Sequence, residues 1–381
     1  MLGSGERGMG MCTDVALYVL HVGARMLPKL DGGVLDKACG NRTSRLLLET
    51  MYSEALSDDP GVTHVMLPNA EHLFGWDADK HQQIHMFLSK VRSHVAPLTT
   101  YGKGLDSQAQ VWYVGHTSLD VSLPPSALAH IPLVTSRGGN TSTEVSSTPQ
   151  PDSGSVDTGV GAVDFNAFLH VKGKSGMKHT LETLRCWRAR PELPVLTVVG
   201  QMAQKGPFAE FANCSNIRFK PPLGSGEQLS ELIPTSEVLE LQRTSGVHVC
   251  PSEREGFGHY MNEARAAGAL VLATNHPPMN ELIDSSNGIL VEPFATFSEP
   301  EWQVLGSLTD LRAKLSSLRV CVAARRAASM PLDARRELGR RRARLSYLSD
   351  KWQFEARIGE VKTWLACVQD RGRQQCGHLV P

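Results

Sequence analysis

Between Val247 and Ala273 the chain switches backbone habit three times in quick succession. Val247-His-Val-Cys250 is a short apolar run of the kind that forms a buried strand, and Glu255-Gly-Phe-Gly258 is a glycine turn. Tyr260 to Ala267 reads as a helix stopped at Gly268, and Ala269-Leu-Val-Leu-Ala273 as the next strand. A strand, a tight turn, a helix and another strand make the repeating unit of an α/β protein with a parallel sheet. In such sheets ligands sit beyond the carboxyl ends of the strands, where helix N-termini aim free N–H groups at anions.

The residues in the turn suit that location. Gly256 and Gly258 have no Cβ, so the backbone can approach a ligand closely and take up positive φ. Glu255 lies just before the helix, and Glu263 follows after seven intervening residues, about one turn inside it. Both carboxylates are therefore expected to face one crevice, where they can accept hydrogen bonds from sugar hydroxyls. A bare pair of glutamates on a surface helix is commonplace; the longer pattern carries the weight.

That pattern runs through Pro251-Ser252, Glu255-Gly-Phe-Gly258, Glu263-Ala264, Gly268, Glu281-Leu-Ile283 and Asn287-Gly288. It resembles the donor-binding signature of retaining family 4 glycosyltransferases, also called glycosyl transferases group 1, which have the GT-B fold. The resemblance implies that Glu255, Gly256, Phe257 and Gly258 hold the donor sugar and that Glu263 binds the nucleotide ribose. Many relatives place glycines where this chain has Asn275-His-Pro-Pro278, and proline supplies no N–H. Diphosphate contacts are accordingly expected from Met279 and Asn280.

A second entry of the same kind lies upstream. Ala167-Phe-Leu-His-Val171 reads as a strand, Gly173-Lys-Ser-Gly176 as a loop, and Met177 to Arg190 as a helix with Leu181, Leu184 and Trp187 on one face. Lys174 and Lys178 stand four apart around the turn, so both ammonium groups can lean over one anion. The segment resembles the family's Gly-Arg loop followed by Lys-Gly, which clamps the donor diphosphate; here the arginine is Lys174 and the last glycine is His179. Lysine keeps the charge and loses the bidentate geometry. A P-loop is excluded, because Phe168 stands where its first glycine is required. Gly3-Ser-Gly-Glu-Arg-Gly8 matches a dinucleotide fingerprint in letters only, with no strand before it.

Composition narrows the class of partner. With 381 residues and 41% hydrophobic residues the chain has room for two cored domains, and 39 basic residues balance 39 acidic ones, which gives no reason to expect a nucleic-acid partner. The eight cysteines are scattered without close pairs, and the opening MLGSGERGMG lacks the apolar core of a signal peptide. The expectation is a cytoplasmic protein with reduced cysteines. His81 and His85 are spaced to share a helix face, but no acidic third ligand accompanies them, and no metal site is expected.

Residues 136–161, rich in Ser, Thr, Gly and Pro, read as a flexible insertion. Before it the pattern is again α/β: strands at Asp14–Val22, Thr63–Leu67 and Gln110–Val114, and helices at Thr43–Leu56 and Lys80–His94. This half is short for a doubly wound domain. Gly115, His116, Thr117 and Ser118 follow a strand, and His116 and Thr117 are candidates to face the transferred sugar on the acceptor side. From Leu311 to Tyr347 the chain reads as basic helices, either a solvated surface or a site of peripheral contact with anionic lipid. Asp350-Lys-Trp-Gln-Phe-Glu-Ala-Arg357 resembles the closing helix of GT-B enzymes, with Trp352 and Phe354 as packing residues.

The organisation expected is α/β, GT-B, with two Rossmann-like domains facing a cleft: a shortened acceptor-side domain at 1–135, the insertion at 136–161, a donor-binding domain at 162–340, and a helical segment at 341–381 that packs back on the first domain. By the resemblance the activity is retaining, metal-independent transfer from a nucleoside-diphosphate sugar to an unidentified acceptor hydroxyl. The site is Glu255, Lys174 and Lys178 with Gly256, Phe257, Gly258, Glu263, Met279 and Asn280, and no cofactor is called for beyond the donor substrate. A non-catalytic nucleotide-sugar-binding relative and a sugar-nucleotide epimerase or phosphorylase on the same fold remain as alternatives.

Overall fold

The structure is a computed structural model that describes residues 45–49, 62–67, 84–104, 109–123, 163–173, 175–200, 206–220, 235–297, 311–371 and 373–379. Its first sheet is formed by β1 (Arg45–Glu49), β2 (Val62–Met66), β3 (Ile84–Ser89) and β4 (Gln110–Tyr113), all parallel and in chain order, with α1 (Val95–Gly104) between the last two strands. The second sheet is built from β5 (Asp164–Gly173), α2 (Thr180–Ala189), β6 (Leu196–Gly200), β7 (Ile217–Lys220), α3 (Thr235–Thr244), β8 (Ser245–Cys250), α4 (His259–Ala266), β9 (Leu270–Thr274), α5 (Met279–Leu282) and β10 (Gly288–Val291). Its strand order is β10-β9-β8-β5-β6-β7, also wholly parallel.

A small antiparallel pair, β11 (Ala295–Phe297) with β12 (Arg312–Lys314), follows. The chain ends in α6 (Ser317–Ser329), α7 (Leu332–Arg336), a π-helical stretch at Glu337–Ala343, α8 (Arg344–Arg371) and a 3-10 segment at Arg373–Leu379.

Burial explains why the second sheet reads so plainly in the sequence. Every residue of β8 and of β9 is buried, as expected of a central parallel strand covered on both faces. Phe168, Leu184, Trp187, Val198, Val247 and Leu272 join one core around it, which α6 closes with Val320 and Ala324. The first sheet borrows its cover from the far end of the chain: Leu67, Met86, Leu88 and Trp112 pack with Phe354, Ile358, Val361 and Trp364 of α8. The backward crossing of the last helix is thus present, with Phe354 fully buried and Trp352, expected to pack, 69% exposed.

Several expectations change. Arg45–Glu49 is a strand inside the stretch expected to be helical over Thr43–Leu56, and Ile84–Ser89 is a strand inside the one expected over Lys80–His94. In the latter, Ile84, Met86, Phe87 and Leu88 are all buried, so tertiary pairing between β2 and β4 outweighs the helical look of the surrounding residues. His85 therefore lies on a strand, His81 is outside the described residues, and their helical pairing is withdrawn. The Asp14–Val22 strand and the insertion at 136–161 also fall outside the described residues. The region from Leu311 opens with β12 rather than a helix.

The cysteines are corrected too. Cys186 is bonded to Cys321 and Cys367 to Cys376, with Cα separations of 5.3 and 6.0 Å. The first bond ties α2 to α6 across a sequence separation of 135, which no spacing rule would reveal. The step from unpaired cysteines to a reducing compartment thereby loses its premise. The basic helices are likewise only partly a solvated face, because the Arg335 guanidinium donates to the Phe165 carbonyl at 2.6 Å and Arg344 is buried.

Candidate active site

The six-stranded sheet reverses its winding between β5 and β8. From β5 the chain proceeds outward through β6 and β7, and from β8 it proceeds the other way through β9 and β10. The connections leaving these two central strands diverge, and a crevice opens at their carboxyl ends. Several of the residues singled out in the sequence belong to these two connections. Gly173 ends β5 and Lys178 follows it, the turn from Pro251 to Gly258 follows β8, and Lys174 lies outside the described residues. The two connections are bonded to each other, the Glu253 N–H donating to the Met177 carbonyl at 2.7 Å.

Lys178 Nζ donates to the Val171 carbonyl at 3.2 Å and stands 3.6 Å above the centroid of the Tyr260 ring. Ser252 Oγ donates to Glu255 Oε1 at 2.5 Å and lies 2.5 Å from the Tyr260 hydroxyl. Glu263, one turn into α4, accepts at 2.7 Å from Gln242 Nε2 of α3. The thiol of Cys250, at the end of β8, senses all three charges. Burial pushes it up, Lys178 pulls it down, and Glu255 and Glu263 push it up further. Lys178 and Glu255 are thus linked through Tyr260 and Ser252 beyond the carboxyl end of β8, while Glu263 is held against α3 by Gln242.

The turn is shaped by its glycines. Gly258 caps α4 with φ +95°, the left-handed region that favours glycine, and a Cβ there would also displace the Met261 methyl. Gly256 is buried in the turn, and the Phe257 ring meets the ring of His116 edge-on at 4.7 Å. His116 also lies 5.2 Å from the ring of His259, whose Nδ1 is 2.9 Å from Ser118 Oγ. The acceptor-side candidate His116 is therefore brought against the donor-side motif. Thr117 is buried as well, its hydroxyl 3.4 Å from the Ser118 carbonyl.

At α5 the expectation is amended. Met279 is its first residue and is buried, but the Asn280 N–H already donates to the His276 carbonyl at 3.2 Å. Of the two amides expected to reach a diphosphate, the one from Asn280 is held within the chain. His179 takes φ +41°, the left-handed region that favours glycine, at the position where the resembling motif has glycine. Its ring bonds hold it there, since Nδ1 donates to the Pro251 carbonyl at 2.8 Å and Nε2 accepts from the Leu315 N–H at 3.2 Å. Tyr260 and Gln242 were not anticipated as site residues from the sequence, and Ser252 was named only as part of the motif. An aromatic residue in the first turn of the helix after the glycine turn was the available signal for Tyr260.

Among the described residues no group of three or more His, Cys, Asp or Glu side chains is placed to hold a metal ion, and no helix is long and apolar enough to cross a membrane.

Residues 228–299 match the profile of the family described as Glycosyl transferases group 1. No curated protein matches the chain by sequence. Among solved structures, the α,α-trehalose 6-phosphate synthase of Burkholderia multivorans superposes with a TM-score of 0.55 at 11% identity, covering 96% of this chain and 81% of that one. A glycosyltransferase from Rickettsia africae gives a TM-score of 0.50 at 12% identity over 94% and 82% of the two chains. The pneumococcal O-GlcNAc transferase, solved with UDP and GlcNAc, gives 0.51 at 13% identity; the match covers 86% of this chain and 59% of that enzyme's length. These neighbours are GT-B glycosyltransferases, and the fold of the chain is GT-B.

Proposed function

We propose that the chain is a retaining glycosyltransferase of family 4 type that moves a sugar from a nucleoside-diphosphate sugar to an acceptor hydroxyl. The observation that carries this reading is the link from Lys178 through Tyr260 and Ser252 to Glu255 beyond the end of β8, at the reversal point of the second sheet, with Glu263 on the helix that follows. The profile match over residues 228–299 and the UDP complex of the pneumococcal neighbour favour the same reading and make UDP-sugars the first donors to test.

In this scheme Lys178, with Lys174 and helix N-terminal amides, stabilises the charge that develops on the departing diphosphate, which is the main electrostatic contribution in such a transfer. Glu255 accepts from hydroxyls of the donor sugar, and Glu263 from those of the ribose. Retention places the acceptor hydroxyl on the face the diphosphate leaves, so no separate general base and no metal are assigned. The domain limits at 135, 161 and 340 and a peripheral contact of the basic C-terminal helices with anionic lipid belong to the same proposal.

A thermal-shift series with UDP-, GDP- and ADP-glucose tests it, because a ligand that binds only the folded state raises its melting temperature. At least one donor should stabilise the protein, and Glu263→Ala and Lys178→Ala should each abolish most of that shift. Equal shifts in wild type and both variants would refute the site. Donor hydrolysis or transfer, absent in Glu255→Ala, separates an enzyme from a protein that only binds the nucleotide sugar. Interconversion of the donor without acceptor would instead indicate an epimerase.

A further inference from the structure

Tyr260 touches two members of the proposed site through two different parts of its side chain. Its ring lies beneath Lys178 Nζ at 3.6 Å, well inside the range of a cation–π contact. Its hydroxyl reaches Ser252 Oγ at 2.5 Å, and Ser252 Oγ reaches Glu255 Oε1 at 2.5 Å. A serine hydroxyl carries one hydrogen, and here it goes to the carboxylate, so the phenol must be the donor to Ser252. The order of donation is then Tyr260 to Ser252 to Glu255, a chain in which each bond polarises the next. The main chain of Ser252 is anchored separately, its carbonyl accepting from Thr274 Oγ1 at 2.6 Å. Burial holds the Tyr260 phenol well above its ordinary titration range, so the donor hydrogen stays in place at neutral pH.

We infer that Tyr260 is a positioning residue with two separable duties: its ring seats the Lys178 ammonium for the donor diphosphate, and its hydroxyl, through Ser252, sets the Glu255 carboxylate for the donor sugar. Tyr260 is buried to 6% exposure, so the phenol is not a surface group that happens to lie nearby. The inference rests on the proposed donor site and adds to it a division of labour within one side chain. Neither duty places Tyr260 against the substrate itself.

The test compares binding of UDP with that of UDP-glucose by calorimetry, GDP and ADP with their glucose esters being used if wild type selects another base. Tyr260→Phe keeps the ring and removes the hydroxyl. It should leave UDP affinity within about twofold of wild type and lower UDP-glucose affinity by roughly tenfold, the size of one lost hydrogen bond in a charge-bearing chain. Ser252→Ala should reproduce that pattern, and the double variant should lose little more, as for two links of one chain. Tyr260→Leu removes the ring as well and should weaken UDP itself. Its melting temperature without ligand shows whether it folds; if it does not, the Phe and Ala variants still decide. Equal losses for UDP and UDP-glucose in Tyr260→Phe, or additive losses in the double variant, would overturn the inference. If wild type binds none of the three nucleotides or their sugars, the donor-site reading itself fails, which is a different outcome from a nucleotide-binding wild type with indifferent variants.

Discussion

The Arg344 guanidinium grips the Asp120 carboxylate with two parallel hydrogen bonds of 2.7 and 2.9 Å, and both side chains are buried. The same guanidinium donates to the Ala266 carbonyl at the end of α4, so one group ties the segment after β4, the donor-side helix and the start of α8 together. Removing one partner of a buried pair strands the other charge. Asp120→Ala should cost about 3–5 kcal/mol of stability by urea titration. The apolar pair Asp120→Leu with Arg344→Met should recover most of that loss, and failure to recover would mean that the pair does more than balance its own charge.

A second link crosses between the two sheets. The Glu281 carboxylate in α5 accepts the Arg92 N–H at 2.6 Å and the Ser93 N–H at 2.9 Å, which caps the 3-10 turn leading into α1. Glu281→Ala should cost about 1 kcal/mol, the usual value of a lost helix cap. Hydrogen exchange provides the sharper reading: the amides of Arg92 and Ser93 should exchange faster in the variant, while those of β8 stay as in wild type.

Acid should unfold this protein early. Burial lowers His170 and His248 to about 4, against the upward pull of the carbonyls their rings donate to, His170 Nδ1 to Val249 and His248 Nε2 to Gln242. The unfolded state takes up protons near pH 6.5 while the folded state does not, so stability is full above that value and falls as pH drops toward 4. Each ring can contribute up to roughly 3 kcal/mol of that loss. Urea midpoints between pH 7.5 and 4.5 should therefore fall steadily, and His248→Gln should flatten the slope.

Two glycines should respond in opposite directions. A Cβ on Gly246 would lie 2.5 Å from Phe165 Cα and 2.7 Å from the Asp164 carbonyl oxygen, both backbone atoms of the neighbouring strand. Gly246→Ala should destabilise by about 1–3 kcal/mol or more through overpacking between β5 and β8. Gly359, in the middle of α8, meets nothing within 4 Å. Gly359→Ala should stabilise by up to about 1 kcal/mol through helix propensity alone. Thermal melts of the two variants check both signs.

The second sheet was legible because its signals are local. The unit from Val247 to Thr274 carries its strands, its glycine turn and its helix stop within one short stretch, and β5 with α2 repeats the pattern. The first sheet was less so. Arg-Leu-Leu-Leu-Glu at β1 and Ile-His-Met-Phe-Leu-Ser at β3 are short apolar runs that suit helix and strand alike until a neighbouring strand settles the matter. At the candidate site, Glu255, Lys178 and Glu263 were singled out by their spacing together with the family resemblance. Tyr260 was missed because its meaning depends on the ammonium of Lys178, which lies on a different connection.

The dependence of the first sheet on α8 also has a bearing on synthesis. Leu67, Met86, Leu88 and Trp112 are covered by Phe354, Ile358, Val361 and Trp364, residues made hundreds of peptide bonds later. While the ribosome is still translating the middle of the message, the earliest strands have no native partner for that apolar face. The second sheet can assemble as it emerges, and the first to be synthesised is the last to be finished.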